Sequence, residues 1–178
     1  MFHHHNQLYF VSFATVNWVD VFVRRIYCDI MADSLRFCIE NKGLELYAWC
    51  IMSSHVHLII STETGNLSDI MRDMKKHTSV ALKTAIKSHP AESRREWMLG
   101  TMYKAGKDNI NNKDFQFWMQ HNHPIELSSN NLLDERLNYI HMNPVVAGFV
   151  DQPEAWLYSS ARDYAGVAKG KIDLIFIE

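Results

Sequence analysis

Glycine and proline are scarce in this chain, seven and four in 178 residues. Together with a hydrophobic share of 47%, that scarcity excludes collagen-like and disordered chains and leaves a packed globular core. Long apolar runs are also missing. Nothing approaches the roughly 18 consecutive residues of a membrane span, so no membrane partner is expected. The opening MFHHHNQLYF lacks a basic segment followed by a long apolar stretch, and does not read as a secretory signal. Cysteine is limited to Cys28, Cys38 and Cys50. An odd count without a CxxC spacing excludes a four-cysteine zinc site and a paired disulfide framework. It suits buried thiols in a reducing compartment, and the expected location is cytoplasmic. An excess of basic residues is absent as well, with a net charge of -2. That argues against a protein that coats nucleic acid non-specifically, without excluding a local basic face. What is abundant is histidine, ten in all; His3, His4 and His5 carry no functional weight here. The length suits one domain, residues 1–178, and is too short for two of ordinary size.

Leu8 to Val16 is rich in aromatic and β-branched residues and predicts a strand. From about Val23 to Asn41, Ile26, Ile30, Ser34, Phe37 and Cys38 recur at helical spacing, with Lys42-Gly43 as the stop. Leu44 to Met52 and His55 to Thr62 predict two strands joined so tightly that they must pair antiparallel. Asn66 to about Ser88 is the clearest helix, closed by His89-Pro90. Arg72, Lys76, Lys83 and Lys87 fall on its polar side, which suits either an ordinary solvated surface or a phosphate-facing stripe. Residues 91 to 114 suggest a short helix and then a mobile loop. Phe115 to Met119 suggests a short strand. Asn131 to about Met142 predicts a helix stopped at Asn143-Pro144. Trp156, Tyr158 and Tyr164 suit a tail that packs back on the domain. This order predicts an α+β, ferredoxin-like antiparallel sheet with helices packed on one face, plus a C-terminal helix carrying Tyr139.

Two features carry chemistry. His55 and His57 are two apart on a strand, so both imidazoles point to one face, while Val56 points to the other. Paired imidazoles are ready ligands for a divalent cation, and equally suit hydrogen-bonded core histidines. A cation there needs a third ligand and keeps open positions, as catalytic sites do. Tyr139 and Asn143 lie one helical turn apart, with Arg136 three residues before the tyrosine. Packing and helix termination would also account for them.

The segment YAWCIMSSHVHLII resembles the His-hydrophobic-His signature of the HUH single-tyrosine nucleases. LNYIHMNPVVAGFV followed by WLYSSARDYAG is similar to the C-terminal signature of the REP-associated tyrosine transposases, and FVSFATVNWVDVF resembles their first strand and its continuation. The chain departs in carrying Ser53-Ser54 where many members have Pro-Asn or Pro-Glu. The resemblance implies a transposase and single-strand endonuclease. His55 and His57 would bind Mg²⁺ or Mn²⁺, with Asn143 as third ligand, and Tyr139 would attack to give a 5'-phosphotyrosine link. It implies single-stranded or hairpin DNA as partner and a monomer or weak homodimer. The Arg72, Lys76, Lys83 and Lys87 stripe, Arg136, and Trp118 as an exposed stacking aromatic are the DNA-contact candidates. Two other classes compete: a domesticated, non-catalytic DNA-binding protein of the same fold, and a metal-dependent hydrolase that uses the His pair and a water.

Overall fold

In the computed structural model, which describes residues 2, 7–109, 114–120 and 122–177, strand β1 (Tyr9–Ala14) alternates faces as an interior strand must. Tyr9, Val11 and Phe13 enter the main core, while Phe10 enters a second, smaller core. His3, His4 and His5 lie outside the described residues, as do 110–113. Helix α1 (Arg25–Lys42) follows and ends on Gly43 at φ 68°, a left-handed stop that glycine adopts without steric cost. Then come β2 (Glu45–Ile51), β3 (His55–Ser61), α2 (Leu67–Ser88), α3 (Arg95–Lys107), β4 (Ile125–Glu126), α4 (Asn130–Val146) and the short α5 (Ala161–Tyr164). All strand pairs are antiparallel, in the order β2-β3-β1-β4, the ferredoxin-like arrangement expected. Among the described residues no helix is long and apolar enough to cross a membrane.

Helices α1 and α2 bury their apolar stripes on one face of the sheet, against Val56, Leu58 and Ile60. Helix α2 begins where expected because the Asn66 Oδ1 accepts the backbone N–H groups of Ser68 (2.9 Å) and Asp69 (3.3 Å). Helix α4 covers the opposite face, where Leu133 and Ile140 pack with Phe10, Ala48, Cys50, Met52 and Ile59. The tail runs along the outer edge of β2. Ile51 N donates to the Tyr158 carbonyl (2.9 Å), and Ser160 N donates to that of Trp49 (2.9 Å). The sheet edge is thereby satisfied from within the chain.

Four expectations need correction. The buried stripe of α1 runs through Tyr27, Met31, Leu35 and Cys38, whereas Ile26 and Phe37 face outward at 45% and 53% exposure. Phe115 to Met119 is not a strand; it makes a single bridge, Thr15 to Trp118, and the fourth strand is Ile125–Glu126. Trp118 is not exposed. Its indole N–H donates to Thr78 Oγ1 (2.9 Å) and its ring packs on Phe13, Phe22 and Phe117. Finally, Pro144 does not stop α4, which continues to Val146. So near the helix end, the missing proline N–H deprives only one carbonyl, that of Ile140.

Glu92 ties the start of α3 to the start of α1. Its carboxylate side chain is fully buried and accepts from Arg24 Nε (2.7 Å), Arg94 Nε (3.3 Å) and the Tyr27 hydroxyl (3.1 Å). Burial alone would raise its pKa, but the two guanidiniums prevail and hold it at about 2, well below its ordinary 4.5. A depressed carboxylate contributes stability above its unfolded value and loses it as pH falls from about 4.5 through about 2. Glu92→Gln is therefore expected to cost about 2 kcal/mol at neutral pH, since the guanidiniums remain partly exposed. Urea melts at pH 7 and pH 3 should show the gap to wild type narrowing at the lower pH; an equal gap at both would remove the electrostatic account.

Candidate active site

The register of β3 determines the site. His57 pairs with Ser12 on β1 and with Cys50 on β2, and His55 pairs with Ala14. Val56 and Leu58 go to the α1/α2 core, so both imidazoles emerge on the α4 face. Their ring centroids are 4.7 Å apart. His57 is 3% exposed and stacks on Phe10 at 5.6 Å; His55 is half-buried. Ser54 Oγ lies 3.3 Å from His55 Nδ1, so the departure at Ser53-Ser54 supplies a hydroxyl that orients this ring.

Helix α4 brings the second motif over the pair. Ile140 is buried beneath it, which turns Tyr139 toward the imidazoles; the tyrosine ring meets His57 edge-on at 5.2 Å and Phe10 at 5.9 Å. Tyr139 remains 43% exposed. One turn later, Asn143 Nδ2 is 3.4 Å from His57 Nε2, and the same amide hydrogen-bonds His55. Arg136, one turn before the tyrosine, sets its guanidinium 5.4 Å from the Phe10 ring centre. Its Nε is buried without a hydrogen-bond partner.

Burial, and then the neighbouring His55, push His57 down to about 3, so it is neutral at physiological pH. Burial lowers His55 also, with the Asn143 hydrogen bond and the Asp20 charge opposing. Neutral imidazoles are what a divalent cation requires. When Asn143 donates to His57 Nε2, the ring proton sits on Nδ1, which is buried and unpartnered. That tautomer leaves Nε2 as a lone pair, and a half-turn of the amide would offer its oxygen beside it. Among the described residues no three His, Cys, Asp or Glu side chains converge. Two neutral imidazoles with the Asn143 amide 3.4 Å from one of them are a donor set that fits a divalent cation.

The IS200-like transposase model matches residues 5–111, which include both histidines. The chain belongs to the IS200-like transposase family. The match stops short of α4, so within this IS200-like chain the tyrosine segment is judged by its geometry. A REP-associated tyrosine transposase, solved bound to a REP hairpin, aligns with a TM-score of 0.67 at 18% identity. The alignment covers 95% of this chain and 86% of that one, and establishes a shared fold. A protein of Deinococcus radiodurans R1, provisionally assigned as a transposase, aligns at 18% identity over 84% of this chain and 98% of its own, with a TM-score of 0.49. No curated protein sequence matches this IS200-like chain.

The fold brings together His55, His57, Tyr139, Asn143 and Arg136. It does not bring in the other candidates. Helix α2 lies across the sheet from the imidazoles, so its basic stripe faces away from them. There Arg72 is paired with Asp69 (2.5 Å) and Asp73 (3.0 Å), and Lys83 sits 4.2 Å from the Phe115 ring centre. Lys76 and Lys87 are exposed on that same helix. Trp118 is core. Missed from the sequence was Phe10, whose ring contacts His57, Tyr139 and Arg136 alike; strand alternation placed it on the histidine face, but nothing distinguished it from packing.

Proposed function

We propose that this chain nicks and rejoins single-stranded DNA, presented at hairpins, through a covalent 5'-phosphotyrosine link on Tyr139. His55, His57 and Asn143 would hold a divalent cation, Mg²⁺ or Mn²⁺. The observation that supports this most is the convergence of two distant segments: Tyr139 and Asn143 of α4 meet the imidazoles of β3 on one face of the sheet. A bound REP hairpin in the structural neighbour supports hairpin DNA as the substrate class. When bound, the cation supplies charge to a non-bridging phosphoryl oxygen and lowers the barrier to attack.

The protein's own groups do the rest. His57 and Phe10 hold the tyrosine ring edge-on, which limits its rotation. The phenolic oxygen forms a bond to phosphorus while the bond from phosphorus to the 3' oxygen breaks. The phenol's proton passes to water at the exposed end of the ring, and the departing 3' oxygen takes one up. One phosphodiester replaces another, so a 3'-hydroxyl can later attack the link and release the tyrosine. Arg136 adds positive charge beside the nucleophile.

The test is to incubate the protein with Mn²⁺ and single-stranded DNA from the flanks of its gene, end-labelled in turn at the 5' and 3' ends. The 3' label is expected to co-migrate with denatured protein, and the 5' label to appear on a shorter free strand. Shorter free strands with either label and no adduct would instead favour a hydrolase that uses water, and binding with no cleavage would favour a non-catalytic DNA-binding protein.

A further inference from the structure

Trp18 is the most exposed tryptophan adjoining the site, at 56%, and its placement is imposed by the chain around it. Asn17 and Trp18 both have positive φ, 52° and 53°. Asparagine tolerates that region, but a bulky aromatic rarely enters it. The conformation is held from beneath. The buried Thr15 hydroxyl donates to the Val19 carbonyl (2.7 Å) with the Ser54 carbonyl 3.1 Å away, and Thr15 N donates to that same Ser54 carbonyl (2.8 Å). Val16 and Val19 are buried on either side. The indole is thus turned outward, and its ring meets His55 edge-on at 5.4 Å.

Beside it lies a hollow of about 100 Å³ whose lining includes Ser12, Ala14, Trp18, Met119 and Gln120. Ser12 and Ala14 are the β1 register partners of His57 and His55, so the hollow lies one strand over from the imidazoles, with Trp18 touching both the hollow and His55. At about 30 Å³ for each water's share of liquid, it has room for about three waters. That suits the edge of one planar ring and not a base pair. An indole face, a thioether and two polar groups at the rim are the chemistry that receives an unpaired base.

We infer that Trp18 and this hollow bind the base of the nucleotide immediately 5' of the cleaved bond. The inference rests on the nicking reading above. Tyr139 stands at the His57 end of the imidazole pair and Trp18 at the His55 end. Attacking and leaving oxygens lie roughly in line through phosphorus. A phosphate over the pair, attacked from the Tyr139 side, therefore releases its 3' oxygen toward Trp18. Stacking there retains the strand that carries the new 3'-hydroxyl, the group needed to reverse the reaction.

The experiment uses Tyr139→Phe protein, so that no bond is cut, and single-stranded oligonucleotides in which 2-aminopurine is walked through every position. Fluorescence at one position is expected to fall several-fold on binding. Trp18→Ala in that background should abolish the fall and weaken binding about tenfold, while Trp18→Phe should keep most of both. With an abasic residue at that position, proteins with and without Trp18→Ala should bind equally. The position should coincide with the last nucleotide before the nick mapped with wild-type protein. Quenching that ignores Trp18→Ala, or maps 3' of the nick, overturns the subsite while leaving nicking intact. A Trp18-dependent quench alongside a wild-type protein that forms no adduct with the same DNA supports the base site and defeats the nicking reading instead. Melting temperatures should be unchanged, since the indole is exposed.

Discussion

Tyr139→Phe is expected to abolish adduct formation and to lower nicking by on the order of 10⁴-fold or more, because it removes the attacking atom itself. The phenylalanine ring keeps its edge contacts with His57 and Phe10. Tyr139 is 43% exposed and its ring packs without displacing the core, so stability should change by less than about 0.5 kcal/mol. DNA affinity should stay within a few-fold of wild type. Denaturing gels with end-labelled DNA, alongside filter binding, read both quantities. Residual nicking within tenfold of wild type would show that water or another side chain is the nucleophile. Loss of binding together with activity would show that the substitution had disturbed the surface and not the chemistry.

His57→Ala is expected to lower Mn²⁺-supported nicking by on the order of 10³-fold, the several kcal/mol of charge stabilisation that a bound cation contributes to phosphoryl chemistry. The loss should be accompanied by weaker Mn²⁺ binding in calorimetry without DNA, a readout that activity alone would not give. Two opposing terms make the effect on stability small. Removing the ring opens space beside Phe10 and Tyr139, and it also removes a buried ring nitrogen with no partner. A net change within about 1 kcal/mol is expected. Unchanged Mn²⁺ binding in His57→Ala would place the cation elsewhere and leave the imidazoles as packing groups.

Much of the fold was legible because its signals are local. Gly43 after a helical stripe, Asn66 before one, and His89-Pro90 behind it each act within a turn of the chain, and the helices end where these residues stand. The histidine pair was legible for the same reason, since strand alternation alone puts both rings on one face. The aromatic run Phe115 to Met119 misled because aromatic residues fill cores as readily as strands; Phe117 and Trp118 are buried by α2 and β1 without ladder pairing. The true fourth strand has two residues, too few for any period to show. Helical spacing put Asn143 and Tyr139 together, but which face of the sheet they would cover is a long-range fact, decided by Leu133 and Ile140 packing on Phe10 and Ile59. Trp18 falls just past the strand expected over Leu8 to Val16, where the sequence predicted no element, and the positive φ angles of Asn17 and Trp18 are what lift it out.

The sharing of one helix by Tyr139 and Asn143 has a consequence for control. On the proposed reading, nucleophile and third ligand are not independently adjustable parts. They ride a single rod fastened to the sheet by Leu133 and Ile140, and to the tail by the 2.9 Å contact of His141 Nε2 with Ser160 Oγ. Lifting or sliding that rod withdraws both at once, so a loosened protein loses attack and ion binding as one event. The arrangement works as an interlock: a movement of α4 cannot withdraw the amide and leave the tyrosine in place.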